Sequence, residues 1–349
     1  MGAALVWLLL FAAFSQAGVT NPDISVLGQM RTFVTDDPAD VNRNRGQLSF
    51  DESEMVFDAA LNPYARGVFV FAVADEGIEV EEGYFSLNRG LPLGLALKAG
   101  KYRVGFGRLN AVHPHAYPFV ERPRVLAAYL PGEESFNDIG ADLSYRIPFP
   151  GSFSSTIEAN VLQGSSFHPD EPDESRPAVA GRWASFVPLG GPSSLDIGLS
   201  GAYGTSGVEA RTTTSLFAFD AKLKLWPNPV NNLVLQSELL ALQREQAESD
   251  SGAEQTTKST IHAAGGYIMA DYTMRKRYNA GLKYERFQRP EEDHPWDQSA
   301  DLFAGLALME ETTLFRVVWN RFFPDDADAF NTFTLQAVFS MGPHKPHQF

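Results

Sequence analysis

Residues 217–225 read Phe-Ala-Phe-Asp-Ala-Lys-Leu-Lys-Leu, so apolar and polar side chains alternate along almost the whole segment. Successive side chains of a β-strand point to opposite faces, and a helix would instead repeat its apolar residues every three or four positions. One face of this segment is apolar, and the other carries the charges of Asp220, Lys222 and Lys224. The segment therefore predicts a strand with one apolar and one polar face.

The same period of two recurs along the chain. It is clear in residues 139–147, 195–203, 280–284, 302–308 and 333–339, and residues 233–244 alternate well enough to be interpreted as a strand. In 333–339, for example, Phe333, Leu335 and Phe339 share one face. No stretch keeps a convincing helical period, so the fold class is all-β.

Strand length and charge separate a soluble sandwich from a membrane barrel. The alternating segments approach the ~9–11 residues that a tilted strand needs to cross a bilayer. Their polar faces carry both signs of charge, as a water-filled lumen would. The candidates for lumen-facing residues are Arg146, Lys222, Lys224, Lys283 and Arg316 against Asp142, Glu158, Asp196, Asp220, Glu285 and Asp301.

The connections between strands alternate in length, as tight turns and long outer loops do in outer-membrane barrels. Short connections fall at 62–63, 89–92, 148–151, 189–192, 227–231, 274–277 and 309–312. Long ones fall at 36–51, 107–136, 164–181, 246–258, 289–297 and 324–330, with two short exceptions at 75–77 and 206–210. We predict a transmembrane antiparallel up-and-down β-barrel of about sixteen strands; the strand at 182–189 is the weakest, and fourteen or eighteen strands remain open.

Composition agrees with this architecture and excludes several other classes. The chain has 349 residues, 26 Phe, 11 Tyr, no Cys and a net charge of -15. Its mean hydropathy of -0.18 hides the pattern, because lipid-facing and water-facing residues average out along each strand. The acidic balance argues against a nucleic-acid partner, and the absence of cysteine removes thiol catalysis and Cys-ligated metals.

The N-terminus resembles a secretory signal peptide. Residues 1–17 contain a short apolar run and end in Ser15-Gln16-Ala17, a small-x-small cleavage site, although the charged start of such a peptide is missing. We expect residues 1–17 to be the signal and residues 18–349 to form one barrel domain. The aromatic residues near strand ends or on the apolar face are Trp226, Trp319, Tyr145, Tyr203 and Tyr267; they suit an interfacial girdle, and the ordinary alternative is core packing in a sandwich.

Residues 99–124 carry the most informative pattern. A strand is expected to end at Phe106, followed by a turn at Gly107-Arg108 and the long loop 107–136. Gly100-Lys101-Tyr102, Phe106-Gly107 and Phe119-Val120-Glu121-Arg122 resemble, in order and approximate spacing, the phosphate-selective porin family (porins O and P) and related uncharacterised porin-like outer-membrane proteins. The resemblance implies a channel whose loop 107–136 folds into the pore, and it implies a homotrimer.

The candidate constriction and selectivity residues follow from this segment: Lys101, Arg103, Arg108, Glu121, Arg122 and Arg124. The three arginines of the loop are equally consistent with ordinary salt bridges to Glu121, Glu133 and Glu134. The family's basic ladder cannot be matched onto them one by one, so phosphate selectivity is not carried over.

His113-Pro114-His115 lies in the same loop. Two imidazoles around a proline can bind a transition metal, but a rigid polar loop is the more ordinary interpretation. His344 and His347 are not expected to act as additional metal ligands, because the loop and the C-terminus are predicted to lie on opposite membrane faces.

The function predicted from these observations is a passive porin-like channel for small solutes, with ion selectivity set by the charges at its narrowing. No hydrolase, P-loop or dinucleotide motif is present, so we expect no enzyme activity and no cofactor. The expected partners are the lipid bilayer of the outer membrane and small solutes or ions. The alternatives are a barrel receptor, a barrel hydrolase without a recognisable motif, and a barrel for metal uptake. For the hydrolase, His262 lies on a predicted strand, but the sequence shows no nucleophilic residue paired with it.

Overall fold

The computed structural model describes residues 22–74, 77–132, 135–169, 174, 176–248, 257–291, 293–308 and 312–342. Residues 1–17, predicted to be a signal peptide, and residues His344 and His347 lie outside the described residues. Sixteen strands follow one another along the chain: β1 (Asp23–Thr35), β2 (Gln47–Ala60), β3 (Ala65–Ala74), β4 (Gly77–Leu87), β5 (Leu95–Arg103), β6 (Asn137–Ile147), β7 (Ser154–Leu162), β8 (Ala178–Gly190), β9 (Ser193–Gly207), β10 (Thr212–Asn228), β11 (Asn231–Glu248), β12 (Thr257–Met274), β13 (Tyr278–Gln288), β14 (Trp296–Ala307), β15 (Thr313–Phe323) and β16 (Phe330–Met341).

The strands form a closed antiparallel barrel. Each strand pairs with its neighbours in sequence, and β1 closes the ring against β16 through pairs such as Gln29 with Val338. The prediction of a sixteen-stranded up-and-down barrel is confirmed, and the doubtful strand at 182–189 is part of β8. Closure of the ring pairs every strand on both sides. An open sheet edge would expose unpaired backbone groups to lipid, which is strongly unfavourable.

The apolar face of the strands points outward. Phe217 is 63% exposed, Leu239 is 55% exposed and Ile268 is 55% exposed, although a soluble sandwich would bury such side chains. Their neighbours Ala218, Leu240 and Met269 are buried inside. A closed ring with an apolar outer face is a transmembrane barrel of the outer-membrane type.

Charged side chains line the interior of the barrel, and several of them form ion pairs there. Arg182 donates two hydrogen bonds to Asp220, at 2.6 and 3.0 Å, and Lys283 lies 2.8 Å from Asp301. Charges removed from bulk water need such partners, because an unpaired buried charge is strongly destabilising. The lumen candidates that are buried inside the barrel are Asp142, Asp220, Lys222, Lys283, Glu285, Asp301 and Arg316.

Tight turns join the strands at one end of the barrel. Asn62 and Asn228 cap two of them: the side-chain oxygen of Asn62 accepts from the amides of Tyr64 and Ala65, both at 2.9 Å. Such side-chain turns are a reason why asparagine is common in short loops. At the other end, β2 begins at Gln47 and β8 at Ala178, so the loops expected at 36–51 and 164–181 are shorter than predicted.

One α-helix, α1 (Arg124–Tyr129), occurs in the described part of the chain, between β5 and β6. Among the described residues, no helix is long and apolar enough to cross a membrane.

Candidate pore constriction

The connection between β5 and β6, residues 104–136, turns into the barrel and is called the inner segment here; its described residues are 104–132 and 135–136. The expected strand end at Phe106 is wrong, since β5 ends at Arg103. The amide of Val104 still donates to the carbonyl of Phe136, 2.9 Å away, and the chain then turns inward, where the amide of Phe106 donates back to the Val104 carbonyl at 2.8 Å. The side chain of Val104 is fully buried.

Asn110 ties the two ends of the inner segment together. Its side-chain nitrogen donates to the carbonyls of Val104 (2.8 Å) and Phe136 (2.9 Å), and its side-chain oxygen accepts from the amide of Phe136. The last of these bonds gives the Phe136 amide an acceptor in place of a strand partner. The inner segment is thereby closed as a compact loop inside the lumen.

An apolar anchor holds one side of the inner segment against the wall. Phe119, Val125 and Tyr129 are 0% exposed, and Phe119 meets the ring of Phe303 from β14 with centroids 6.0 Å apart. The amide of Val125, in the first turn of α1, donates to the Glu285 carboxylate at 3.3 Å. The buried wall residues of the same cluster include Leu216, Leu240, Leu242, Ala263, Tyr267, Met269, Phe287, Phe303 and Val318.

Glu238 of β11 forms a polar clamp beside this anchor. Its carboxylate accepts from the amides of Arg108 (2.9 Å) and Leu109 (3.0 Å) and from the Tyr267 hydroxyl (2.6 Å). Gly107 precedes the clamp at φ +58°, and a Cβ there would collide with the Glu238 carboxylate. Glycine is therefore required at this turn, both for its backbone conformation and for the close approach.

A charged cluster holds the opposite side of the inner segment against β2 and β4. His113 contacts Glu54 (Nδ1 to Oε2, 3.2 Å) and Glu82 (Nε2 to Oε1, 2.9 Å), and His115 Nδ1 lies 3.0 Å from Glu54 Oε1. Burial alone would lower the pKa of His113, but the charge of Glu54 and the hydrogen bonds to Glu54 and Glu82 raise it to about 10.

The predicted constriction residues fall at different places in the lumen. Arg108 lies 3.6 Å from Asp196 and 3.5 Å from Asp220. Arg122 donates to the side-chain oxygen of Asn110 at 3.3 Å. Neither contact uses Glu121, the nearest of the expected salt-bridge partners; Glu133 and Glu134 lie outside the described residues.

The other predicted residues are more dispersed. Glu121 pairs with Arg31 of β1, and Arg124 stacks over the ring of Phe322 with 4.2 Å between the guanidinium carbon and the ring centre. Arg103 is buried and donates to Glu81 at 2.8 Å. Lys101 lies on the outward face of β5, next to inward-facing Tyr102, and its ammonium is 3.2 Å from Glu79. The six residues therefore do not form one ring.

The inner segment borders two cavities. The turn-side cavity, about 760 Å³, reaches the short turns near Lys276, Thr312 and Gly342. Among the described residues, its lining includes one carboxylate, Asp271, and six basic side chains: Arg108, Lys222, Lys224, Lys276, Arg277 and Arg316.

The loop-side cavity is smaller, about 380 Å³, and lies toward the long loops. Its described lining has three arginines, Arg31, Arg103 and Arg122, and two carboxylates, Asp51 and Glu121. Tyr117 of the inner segment lines both cavities. Its hydroxyl donates to the carbonyl of Leu109, 3.2 Å away, so the residue between the cavities is itself fixed by the segment.

Some residues of the cavities and of the Glu238 clamp can be predicted from the sequence, and others cannot. Lys222, Lys224 and Arg316 follow from the period of two, whereas Lys276 and Arg277 sit in a turn with no periodic signal. Glu238 lies on the inward face of β11 together with Gln236 and Leu240, at every second position of the strand. The period of two in the sequence therefore indicates that Glu238 faces the lumen. The expectation that Tyr267 is a girdle aromatic is wrong: it is 2% exposed and bonded to Glu238, on the same face as Ala263 and Met269.

His262, considered for an enzyme alternative, lies on the outward face of β12, between buried Ile261 and Ala263.

Comparison with known proteins shows the fold. No protein-family model matches the chain. An uncharacterized protein of Aquifex aeolicus (strain VF5) is 27% identical, over 89% of this chain and 71% of its own length.

Among solved structures, the anion-selective porin from Comamonas acidovorans is similar with a TM-score of 0.62 at 13% identity, covering 92% of this chain and 100% of that one. The outer membrane channel DcaP of Acinetobacter baumannii has a TM-score of 0.61 at 10% identity, with 94% and 99% covered. The trimer form of the outer membrane protein OmpT of Vibrio cholerae has a TM-score of 0.59 at 12% identity, with 92% and 100% covered. The barrel is thus porin-like in fold.

Proposed function

We propose that this protein is an outer-membrane channel through which small solutes diffuse passively, with a preference for anions. The observation that carries the proposal is the lining of the turn-side cavity, where six basic side chains face one carboxylate. A ring of like charges in a narrow aqueous passage attracts counter-ions and repels ions of its own sign.

The inner segment supports a narrow passage rather than an open one. It occupies the lumen from the Glu238 clamp to the cluster around His113, so solutes would have to pass beside it. Because contacts hold the inner segment to the wall on both sides, we expect the width of the passage beside it to stay constant. Selection would then depend on size and charge, without any covalent step.

The basic lining of the turn-side cavity can be compared with the porins that this chain resembles. An arginine- and lysine-lined lumen is compatible with the resemblance of residues 100–122 to phosphate-selective porins, and the Comamonas protein of similar fold is described as anion-selective. We infer a small inorganic or organic anion as the solute class. Phosphate itself is one member of that class, to be tested against chloride and carboxylates.

Three further expectations belong to this proposal. Residues 1–17 would direct the chain out of the cytoplasm, and residues 18–349 would form the single barrel domain. The protein would assemble as a homotrimer; a trimer form is known for OmpT of Vibrio cholerae.

The direct test is conductance in planar lipid bilayers. We expect the purified protein to produce stepwise current increases in KCl, with steps that scale with salt concentration. Heat-modifiable migration on gels would first establish that the barrel is folded. A folded preparation that gives no steps in any salt would overturn the channel proposal.

A further inference from the structure

We propose that Glu54, His113 and His115 bind a divalent transition-metal ion, with Zn²⁺ as the best fit, and that this ion fastens the inner segment to the barrel wall. The site lies apart from the apolar anchor. It concerns metal binding and does not depend on the channel proposal.

The geometry of the three side chains suits one ion. One ligand atom from each residue can be chosen so that all three lie within 4.8 Å of one another, and all three residues are buried. The Nδ1 atoms of both histidines face the same carboxylate, at 3.2 and 3.0 Å. Ligands around a tetrahedral Zn²⁺ with bonds of 2.0–2.1 Å lie about 3.3 Å from one another, so the two distances from imidazole nitrogen to carboxylate oxygen already match those of a bound ion.

Glu82 gives His113 the partner that metal-binding histidines usually have. Its Oε1 lies 2.9 Å from Nε2 of His113, on the side of the ring away from Glu54. A carboxylate there accepts the Nε2 proton, which fixes the tautomer and directs the Nδ1 lone pair toward the site.

Glu81 provides an independent observation. Its side chain is 7% exposed, and Arg103 donates to Oε1 at 2.8 Å. Its Oε2 is buried without a hydrogen-bond partner, 3.7 Å from Nδ1 of His113. A buried carboxylate oxygen without a donor is costly, and it is rare in native structures. A metal ion at the site would supply its missing partner, as a fourth ligand or through a bound water.

The charges of the cluster also call for a cation. Three buried carboxylates, from Glu54, Glu81 and Glu82, face one guanidinium, from Arg103. When both imidazoles are neutral, as metal ligands must be, two negative charges remain, and they equal the charge of a divalent ion. Since unbalanced buried charge is strongly unfavourable, a metal ion would stabilise the contact between the inner segment and β2.

The ligand chemistry selects the kind of metal. Imidazole nitrogens suit Zn²⁺, Ni²⁺ and Cu²⁺, whereas Ca²⁺ and Mg²⁺ prefer a shell of oxygens. We therefore expect ZnCl₂ to bind and CaCl₂ not to compete.

The test is metal binding by the full-length folded protein after treatment with a chelator. Isothermal titration with ZnCl₂ should show one site per chain, and H113Q and H115Q should each weaken it more than tenfold. E82Q should weaken it about ten- to a hundredfold, the usual range for a partner of a ligating histidine. H262Q, which removes an exposed histidine from the outer face, is the matched control and should bind as the wild type does.

A spectroscopic readout avoids reliance on variants that fail to fold. X-ray absorption at the zinc edge of the loaded wild type should show two imidazole nitrogens and oxygen ligands. Absence of a site in the wild type, competition by CaCl₂, or zinc binding that H113Q and H115Q leave unchanged would each overturn the proposal.

Discussion

The two cavities beside the inner segment differ in charge although the same barrel encloses both. In the loop-side cavity two of the three arginines have close acidic partners: Arg31 pairs with Asp51 at 2.8 Å, and Arg103 with Glu81 at 2.8 Å. In the turn-side cavity Arg108 forms longer salt bridges, 3.6 Å to Asp196 and 3.5 Å to Asp220. Among the described residues that line this cavity, six basic side chains outnumber one carboxylate, Asp271.

This difference shows where selectivity would arise. Close ion pairs cancel each other's field within a few ångströms, whereas an excess of one sign persists across a narrow passage. The net charge of -15 says little about the permeating ion, because the turn-side lining has the opposite sign. Local placement of charge is therefore the relevant quantity.

Removing the inner segment should have the largest effect, because it would merge the two cavities. We expect replacement of residues 106–135 by a short Gly-Ser linker to raise single-channel conductance severalfold and to abolish most ion preference. Conductance in planar bilayers measures both. Replacement of the exposed loop residues 37–45 by the same linker is the control and should leave conductance near that of the wild type. An unchanged conductance after the first replacement would show that the segment does not limit the passage.

Neutralising the turn-side cavity should have the next largest effect. A unit charge about 8 Å from a permeating ion contributes about 0.5 kcal/mol in a water-like dielectric, which is about twofold for each ion and acts oppositely on anions and cations. With screening by salt, we expect K222Q together with K224Q to lower the chloride-to-potassium permeability ratio on the order of fivefold. K258Q, at the exposed rim, should lower it little. Equal effects of the two changes would argue against a selective turn-side cavity.

Changing the loop-side cavity should have the smallest effect. Arg122 is half-buried and bonded to Asn110, in a lining that also holds two carboxylates. We expect R122Q to change the same permeability ratio by less than about twofold, because nearby charges of both signs remain. A shift larger than that of the turn-side pair, measured in the same salt gradient, would reverse the assignment of the two cavities.

The barrel could be predicted because its signal is local. Every strand carries its own alternation, and a single segment such as 217–225 already separates inward Asp220 and Lys222 from outward Phe217 and Phe219. The interior contacts are not local. Glu54 is 61 residues from His115, and Glu238 is 130 residues from Arg108, so no spacing in the sequence connects them.

The errors have the same origin. β5 stops at Arg103 because Asn110 accepts from the Phe136 amide, and because the Val104 carbonyl accepts from Asn110 and Phe106. These contacts outweigh the strand pattern that continues to Phe106. Tyr267 looks like an interfacial aromatic until the partner of its hydroxyl is known. Aromatic residues have both roles in a barrel that holds a packed segment inside, and composition does not distinguish them.

The most direct measurement is the reversal potential of the wild-type channel across a tenfold KCl gradient at neutral pH. We expect its sign to be that of the chloride equilibrium potential, because the turn-side lining favours anions. A reversal potential with the sign of the potassium equilibrium potential would contradict the proposed anion preference. A value of zero would mean that the basic lining exerts no selection on the permeating ions.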